Sequence, residues 1–84
     1  MKLRLDHIGF VVKDIEKYRD YYIKTFCCKA LSDIMDEPAH GVKIMFLETG
    51  YGDMPMIELI TPSSKDSKVT GFLEKTRGGI HHLA

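Results

Sequence analysis

Apolar and polar positions divide the first part of the chain into a strand and a helix. Residues 3–12 are rich in β-branched and other apolar side chains, which predicts a first strand. Asp14 follows directly and can cap a helix. That helix is predicted by apolar positions that recur at spacings of three and four, the pattern of a helix packed on a sheet: Ile15, Tyr18, Tyr22 and Phe26. We expect it to end near Cys27.

The middle of the chain predicts further strands, a weak one at residues 30–36 and stronger ones at residues 42–48 and 56–61. The turn-rich residues 49–53 join the last two, which indicates a hairpin with a loose loop. Pro62 then ends the sheet.

The rest of the chain predicts a short helix and one more strand. Residues 63–67 are polar and rich in capping residues, and an apolar helix face follows, made of Val69, Phe72 and Leu73. Gly78 and Gly79 break this helix before a strand at 80–84. The order is β-α-β-β-β, then helix, then strand, which predicts an α+β fold. It has a βαβββ module at 1–62, a connecting helix and loop at 63–79, and a final strand at 80–84.

The final strand repeats the pattern of the first. Residues 5–9 and 80–84 both read apolar, polar, His, apolar, small, which places His7 and His82 at equivalent positions. Taken singly, a histidine on a strand is more simply a half-buried residue hydrogen-bonded to a neighbour. The repetition favours a shared role. Since neighbouring strand residues point to opposite faces, His81 and His82 are not expected to enter one site together, and the repeat selects His82.

A single carboxylate, Glu58, lies inside the otherwise apolar run 56–60. A solvent-facing position on an alternating strand would explain it, but the other residues on its face are apolar. Because a buried unpaired carboxylate is costly, a metal ion is the better partner. Two histidines and a glutamate on strands therefore predict a metal site formed by His7, Glu58 and His82, although imidazole and carboxylate ligands do not identify the metal.

The composition of the chain argues against nucleic-acid-binding and membrane-binding proteins. In 84 residues, 12 basic and 12 acidic side chains give no net charge, and the basic residues are scattered. The chain therefore lacks the basic stripe of a nucleic-acid-binding protein and the polybasic anchor of a membrane-binding one. The adjacent Cys27 and Cys28 match no zinc or redox motif, and neither a membrane span nor a signal-peptide core is present. We expect a soluble, cytoplasmic protein with a small-molecule ligand.

Several short motifs, in this order and spacing, resemble the vicinal oxygen chelate (glyoxalase/bleomycin resistance/dioxygenase) superfamily, and within it the methylmalonyl-CoA epimerase family. They are Asp6-His7-Ile8-Gly9, Pro38-Ala39-His40-Gly41-Val42, Ile57-Glu58-Leu59-Ile60-Thr61-Pro62, Asp66-Ser67, Phe72-Leu73 and Gly79-Ile80-His81-His82-Leu83-Ala84. The resemblance implies a metal cup built from two βαβββ modules. His7 and Glu58 would be ligands from the first module, and His82 would be a ligand on the first strand of a second module, of which this chain holds residues 80–84.

The resemblance also implies a reaction. A divalent ion (Co, Mn, Ni, Zn or Fe) would stabilise the enolate formed when a proton leaves and returns at C2 of an acyl-CoA thioester. Some family members carry a carboxylate at the position aligned with Ile44, which this chain lacks, and Glu48 lies further along the same strand without a motif match. The catalytic bases therefore stay unassigned. His40 is a candidate for lining the site entrance and binding substrate, with a structural turn role as the alternative.

Two other functions are consistent with the same fold, a glyoxalase I-like lyase and a non-catalytic small-molecule binding or resistance protein. Departures from the family pattern, such as Cys27-Cys28 and the long loop at 51–55, lie near the substrate side and affect the choice of substrate. One module also leaves sheet edges that need covering, so we expect a homodimer.

Overall fold

The computed structural model describes residues 5–50 and 54–84. Its elements are β1 (His7–Val11), α1 (Ile15–Phe26), β2 (Lys29–Ala30), β3 (Met35–Glu37), β4 (Val42–Glu48), β5 (Met56–Pro62), α2 (Lys68–Thr76) and β6 (Gly79–Leu83). This order confirms the α+β fold predicted from the sequence. Residues 1–4 and 51–53, which hold the start of the predicted first strand and most of the predicted hairpin loop, lie outside the described residues.

The strands form one six-stranded sheet in the order β2-β4-β5-β1-β6, with β3 also pairing with β4. β4 and β5 are the predicted antiparallel hairpin. β1 lies between β5, to which it is parallel, and β6, to which it is antiparallel. The strands at the two ends of the chain are therefore direct neighbours in the sheet.

The weak strand predicted at 30–36 is wrong as a single element, because it is divided into β2 and β3. Both parts pair with β4, so they follow the same edge of the sheet. Between them the backbone N–H of Phe46 donates to Ser32 Oγ at 3.1 Å rather than to a carbonyl. A side chain thus replaces one backbone partner of the ladder, and the edge strand is interrupted there.

Helix α1 covers one face of the sheet. Asp14 is its N-cap and accepts a hydrogen bond from the Lys17 backbone N–H, and Cys27 ends it in the left-handed conformation. Both ends agree with the sequence prediction. The core between this helix and the sheet consists of Val12, Ile15, Cys28, Met45, Leu47 and Leu59.

Helix α2 covers part of the opposite face. Ser67 caps its N-terminus, and Arg77 ends it in the left-handed conformation before Gly78 and Gly79. The side chain of Val69 on this helix packs with the buried Val11, Val42 and Ile60. No helix among the residues that the structure describes is long and apolar enough to cross a membrane.

Candidate metal centre

The sheet brings His7, Glu58 and His82 together from three neighbouring strands. Gly9 on β1 pairs with Glu58 on β5 and, on its other side, with His82 on β6. His7 lies two residues before Gly9 and shares its face, because side chains alternate along a strand. The ligand atoms of the three side chains lie within 4.8 Å of one another.

The contacts between these atoms have the lengths expected around a metal ion. His82 Nε2 is 3.0 Å and His7 Nε2 is 3.4 Å from Glu58 Oε1. The two Nε2 atoms are 3.1 Å apart. Ligand atoms about 2.0–2.1 Å from one ion, at angles between octahedral and tetrahedral, are about 2.9–3.4 Å from each other. The three atoms therefore fit around a single small divalent cation.

Burial and hydrogen bonding support this interpretation. The exposed fractions of the His7, Glu58 and His82 side chains are 19%, 12% and 36%. Glu58 Oε1 is buried and has no hydrogen-bond partner in the part of the chain that the structure describes, even though both Nε2 atoms are near it. The three atoms approach one point, and among the described residues Oε1 of the buried Glu58 carboxylate is left without a hydrogen bond, a costly arrangement that a cation would relieve.

Asp6 orients the first histidine. Its Oδ2 lies 2.7 Å from His7 Nδ1. Because a carboxylate accepts, Nδ1 carries the proton and donates it, which leaves the lone pair of His7 Nε2 free toward Glu58. A carboxylate behind a metal-binding histidine is a common arrangement that fixes the tautomer and the ring orientation.

Gly9 makes space for the second histidine. A Cβ atom built on Gly9 would overlap His82 Cε1 and lie 2.6 Å from Nδ1 and 2.8 Å from Nε2 of the same ring. The His82 ring thus occupies the volume that any other side chain at position 9 would take. An isolated glycine inside a strand often marks a close approach of this kind.

The aromatic side chain of Phe46 on β4 packs against the centre. The rings of Phe46 and His7 meet edge to face at 5.8 Å between centroids, and Phe46 pairs with Glu58 across the hairpin. Ile44, at the position where some family members carry a carboxylate, packs against the apolar cluster under α2. Apolar walls lower the local dielectric and strengthen electrostatic interactions at the ligand atoms.

The other predicted residues lie elsewhere. His40 precedes β4 and contacts Glu37, with 2.7 Å between Nδ1 and Oε1. It is two residues from Val42, the first residue of β4, which pairs with Pro62 at the end of β5. At about 3.3 Å per residue, Pro62 is about 13 Å along β5 from Glu58. The structure therefore does not bring His40 to the three ligand atoms. Glu48 is exposed at the end of β4, where it pairs with Lys29.

The structure modifies the expected relation between His81 and His82. A bulge interrupts the pairing of β1 with β6, so that Gly9 pairs with His82 and Phe10 with Ile80, and His81 has no partner. The two adjacent rings are consequently not on opposite faces but touch, with 2.9 Å between their Nδ1 atoms. Only His82 contributes a ligand atom to the described cluster. Asp6, Gly9 and His81 were part of recognised motifs, yet their contacts depend on pairing that local sequence patterns do not reveal.

The chain belongs to the glyoxalase/bleomycin resistance protein/dioxygenase superfamily, whose family model matches residues 6–84. Among similar proteins, the mitochondrial methylmalonyl-CoA epimerase of Mus musculus is 37% identical over 81 residues, which are 95% of this chain and 43% of the relative. These findings confirm the resemblance predicted from the motifs.

Two solved structures extend the comparison. The crystal structure of methylmalonyl-CoA epimerase from Mycobacterium tuberculosis matches with a TM-score of 0.86 at 25% identity, over 95% of this chain and 52% of that chain. A variant of Streptomyces coelicolor methylmalonyl-CoA epimerase in complex with 2-nitronate-propionyl-CoA matches with a TM-score of 0.83 at 27% identity, over 99% of this chain and 61% of that chain. The chain thus spans between two fifths and about three fifths of the length of these proteins.

Proposed function

We propose that this chain forms the metal-binding module of an epimerase that removes and returns a proton at C2 of an acyl-CoA thioester such as methylmalonyl-CoA. The observation that carries the proposal is the approach of His7, Glu58 and His82 to one point, in a chain that matches epimerases over 95% or more of its length. The Streptomyces coelicolor relative, solved with a propionyl-CoA analogue, supports an acyl-CoA ligand.

His7, Glu58 and His82 would hold the metal. When bound, a divalent cation (Co, Mn, Ni, Zn or Fe) supplies the positive charge that stabilises negative charge developing on the substrate oxygens. Asp6 would keep His7 Nε2 free to bind, and the ring of Phe46, which packs edge to face on His7, would shield one side of the centre. The donor set of two imidazoles and one carboxylate suits several of these metals.

His40 would contact the distal part of the ligand instead of its reacting carbon. An acyl-CoA is an extended molecule, and a separation of about 13 Å along the strand is compatible with contact to its pantetheine or nucleotide part. Its exposed side chain, paired with Glu37, is accessible to such a ligand.

We further propose that residues 80–84 are the first strand of a second module, which would follow the module at 1–62 and the connection at 63–79. The repeated pattern of residues 5–9 and 80–84 and the adjacent antiparallel placement of β1 and β6 support this. The limited share of each relative that the chain spans agrees with it.

For the 84-residue chain itself, we propose a homodimer. β6 lies at one end of the sheet order, and its Ile80 and Leu83 side chains are 56% and 62% exposed. Pairing of this edge with a second copy would cover both the apolar side chains and the free backbone groups. Light scattering across a size-exclusion peak should give twice the chain mass, and a monomer at every working concentration would contradict the proposal.

Metal content and proton exchange test the function together. We expect about one divalent ion per centre by mass spectrometry. We also expect exchange of the C2 hydrogen of methylmalonyl-CoA with solvent deuterium by the metal-loaded protein in a form that also contains the proposed second module. The His7→Ala variant should lose both. In a form that also contains the proposed second module, full metal occupancy without exchange would refute the epimerase and leave a binding function of the same fold.

A further inference from the structure

His81 lies next to a proposed metal ligand in a way that ordinary strand geometry does not allow. The bulge in β6 leaves His81 without a partner on β1. Its ring centroid is 5.2 Å from that of His82, and the two rings are nearly perpendicular. A bulge inserts an extra residue and redirects side chains, and here it brings two consecutive imidazoles into contact.

The contact between the two rings determines where their protons are. The atoms that meet are His82 Nδ1 and His81 Nδ1, 2.9 Å apart, so one of them donates and the other accepts. His82 Nε2 faces Glu58 Oε1 at 3.0 Å and must be unprotonated to bind a metal. His82 Nδ1 therefore carries the proton and donates it, and His81 Nδ1 accepts while its own proton lies on Nε2.

A second contact holds His81 in place. Its ring packs edge to face against Phe72 of α2, with 5.1 Å between centroids and an interplanar angle of 84°. Phe72 in turn packs against the buried cluster of Val11, Val42, Ile60 and Val69. The exposed His81 ring is thus held by Phe72 of α2, which itself contacts the core.

We propose that His81 is a positioning residue of the metal centre, which accepts the Nδ1 proton of His82 and thereby directs His82 Nε2 toward Glu58 and His7. The inference rests on the proposed metal site. His81 would orient the ring of His82 as Asp6 orients the ring of His7, by accepting the Nδ1 proton. The acceptor is a neutral imidazole in His81 and a carboxylate in Asp6. Such partners of metal-binding histidines typically account for about 10–100-fold in metal affinity.

Two substitutions at position 81 separate this role from a structural one. His81→Phe keeps a ring against Phe72 but removes the acceptor. His81→Asn loses the ring but places its Oδ1 where Nδ1 was, since each atom is two bonds from Cβ. We expect the affinity for Zn²⁺, measured by competition with a chromophoric chelator, to fall about 10–100-fold in the Phe variant and to stay within about threefold of wild type in the Asn variant. A role in packing alone would give the reverse order.

The matched control is Leu83→Phe, which adds the same ring at the other neighbour of His82, on an exposed position. Its affinity for Zn²⁺ should equal that of the wild type. If the Phe variant at position 81 binds as tightly as wild type, or the Asn variant as weakly as the Phe variant, the positioning role is wrong while the metal site stands. If the wild type itself binds no Zn²⁺, Co²⁺ or Mn²⁺, both are wrong.

The tautomers provide a second measurement that does not depend on affinity. Long-range ¹H–¹⁵N correlation spectra of the Zn²⁺-loaded protein should show a protonated Nδ1 in His82 and a protonated Nε2 in His81. The opposite assignment for His81 would overturn the proposal, because its Nδ1 would then be a donor.

Discussion

Replacement of Gly9 by alanine tests the metal centre without removing any ligand. The alanine Cβ would lie 2.6 Å from His82 Nδ1 and 2.8 Å from Nε2. Ordinary contacts between such atoms are about 3.5 Å, and Cε1 of the same ring is closer still, so the ring would have to retreat by at least about 0.9 Å. Metal sites tolerate deviations of only about 0.2 Å in ligand distance, so His82 could no longer bind together with His7 and Glu58.

The expected result is a large loss of metal affinity in a protein that stays folded. With His82 displaced, we expect the affinity for Zn²⁺ or Co²⁺ to fall about 100-fold or more, which corresponds to about 2.7 kcal/mol. Gly9 is not among the residues with positive φ, so alanine fits its backbone. The partly exposed His82 ring can turn toward solvent, and the metal-free protein should gain up to about 1 kcal/mol from the loss of glycine flexibility in the unfolded chain.

The assay pairs a metal titration with thermal unfolding of the metal-free protein. Gly71→Ala is the matched control, because no atom of the residues that the structure describes lies within 4 Å of a Cβ at this position of α2. It should stabilise the fold by up to about 1 kcal/mol and leave metal binding unchanged. Wild-type affinity in the Gly9 variant would refute the placement of the His82 ring and, with it, the three-ligand centre.

Three other outcomes follow from the same structure. Glu58→Gln should abolish stabilisation by added metal without lowering the melting temperature of the metal-free protein, since it removes the charge of a buried carboxylate whose Oε1 has no hydrogen bond to any described residue; a less stable metal-free variant would contradict this. Asp6→Ala should weaken metal binding about 10–100-fold, whereas Asp20→Ala on α1 should not, and equal effects in both would exclude orientation of the neighbouring histidine. Iodoacetamide should label the exposed Cys27 well before Cys28, because Cys28 is buried and burial raises the pKa of its thiol; peptide mapping that finds equal rates would be evidence against this packing.

Much of the fold follows from patterns along the chain. The spacing of Ile15, Tyr18, Tyr22 and Phe26 predicted α1, and Asp14 and Cys27 are its caps as expected. The hairpin of β4 and β5 followed from alternating apolar runs around turn residues. These features depend on side chains within a few positions of one another, so a local pattern is sufficient to predict them.

The edge strand shows where such patterns stop being sufficient. Residues 30–36 have the composition of one weak strand, but Ser32 takes a backbone partner on β4 and divides it into β2 and β3. Whether a polar side chain competes with the ladder depends on what the opposite strand presents. That information lies 14 positions away, at Phe46.

The sequence alone selected the three candidate ligands, because the first and last strands repeat one pattern and Glu58 interrupts an apolar run. Only the tertiary structure decided how they meet. In the sheet, Gly9 lies between Glu58 and His82. A bulge in β6 brings His81 into contact with His82, and His40 lies at the far end of β4 from the ligand atoms. Residue types and spacing carry the chemistry of a site, but its geometry depends on strand register and close packing between residues up to 75 positions apart, as in the contact of His7 with His82.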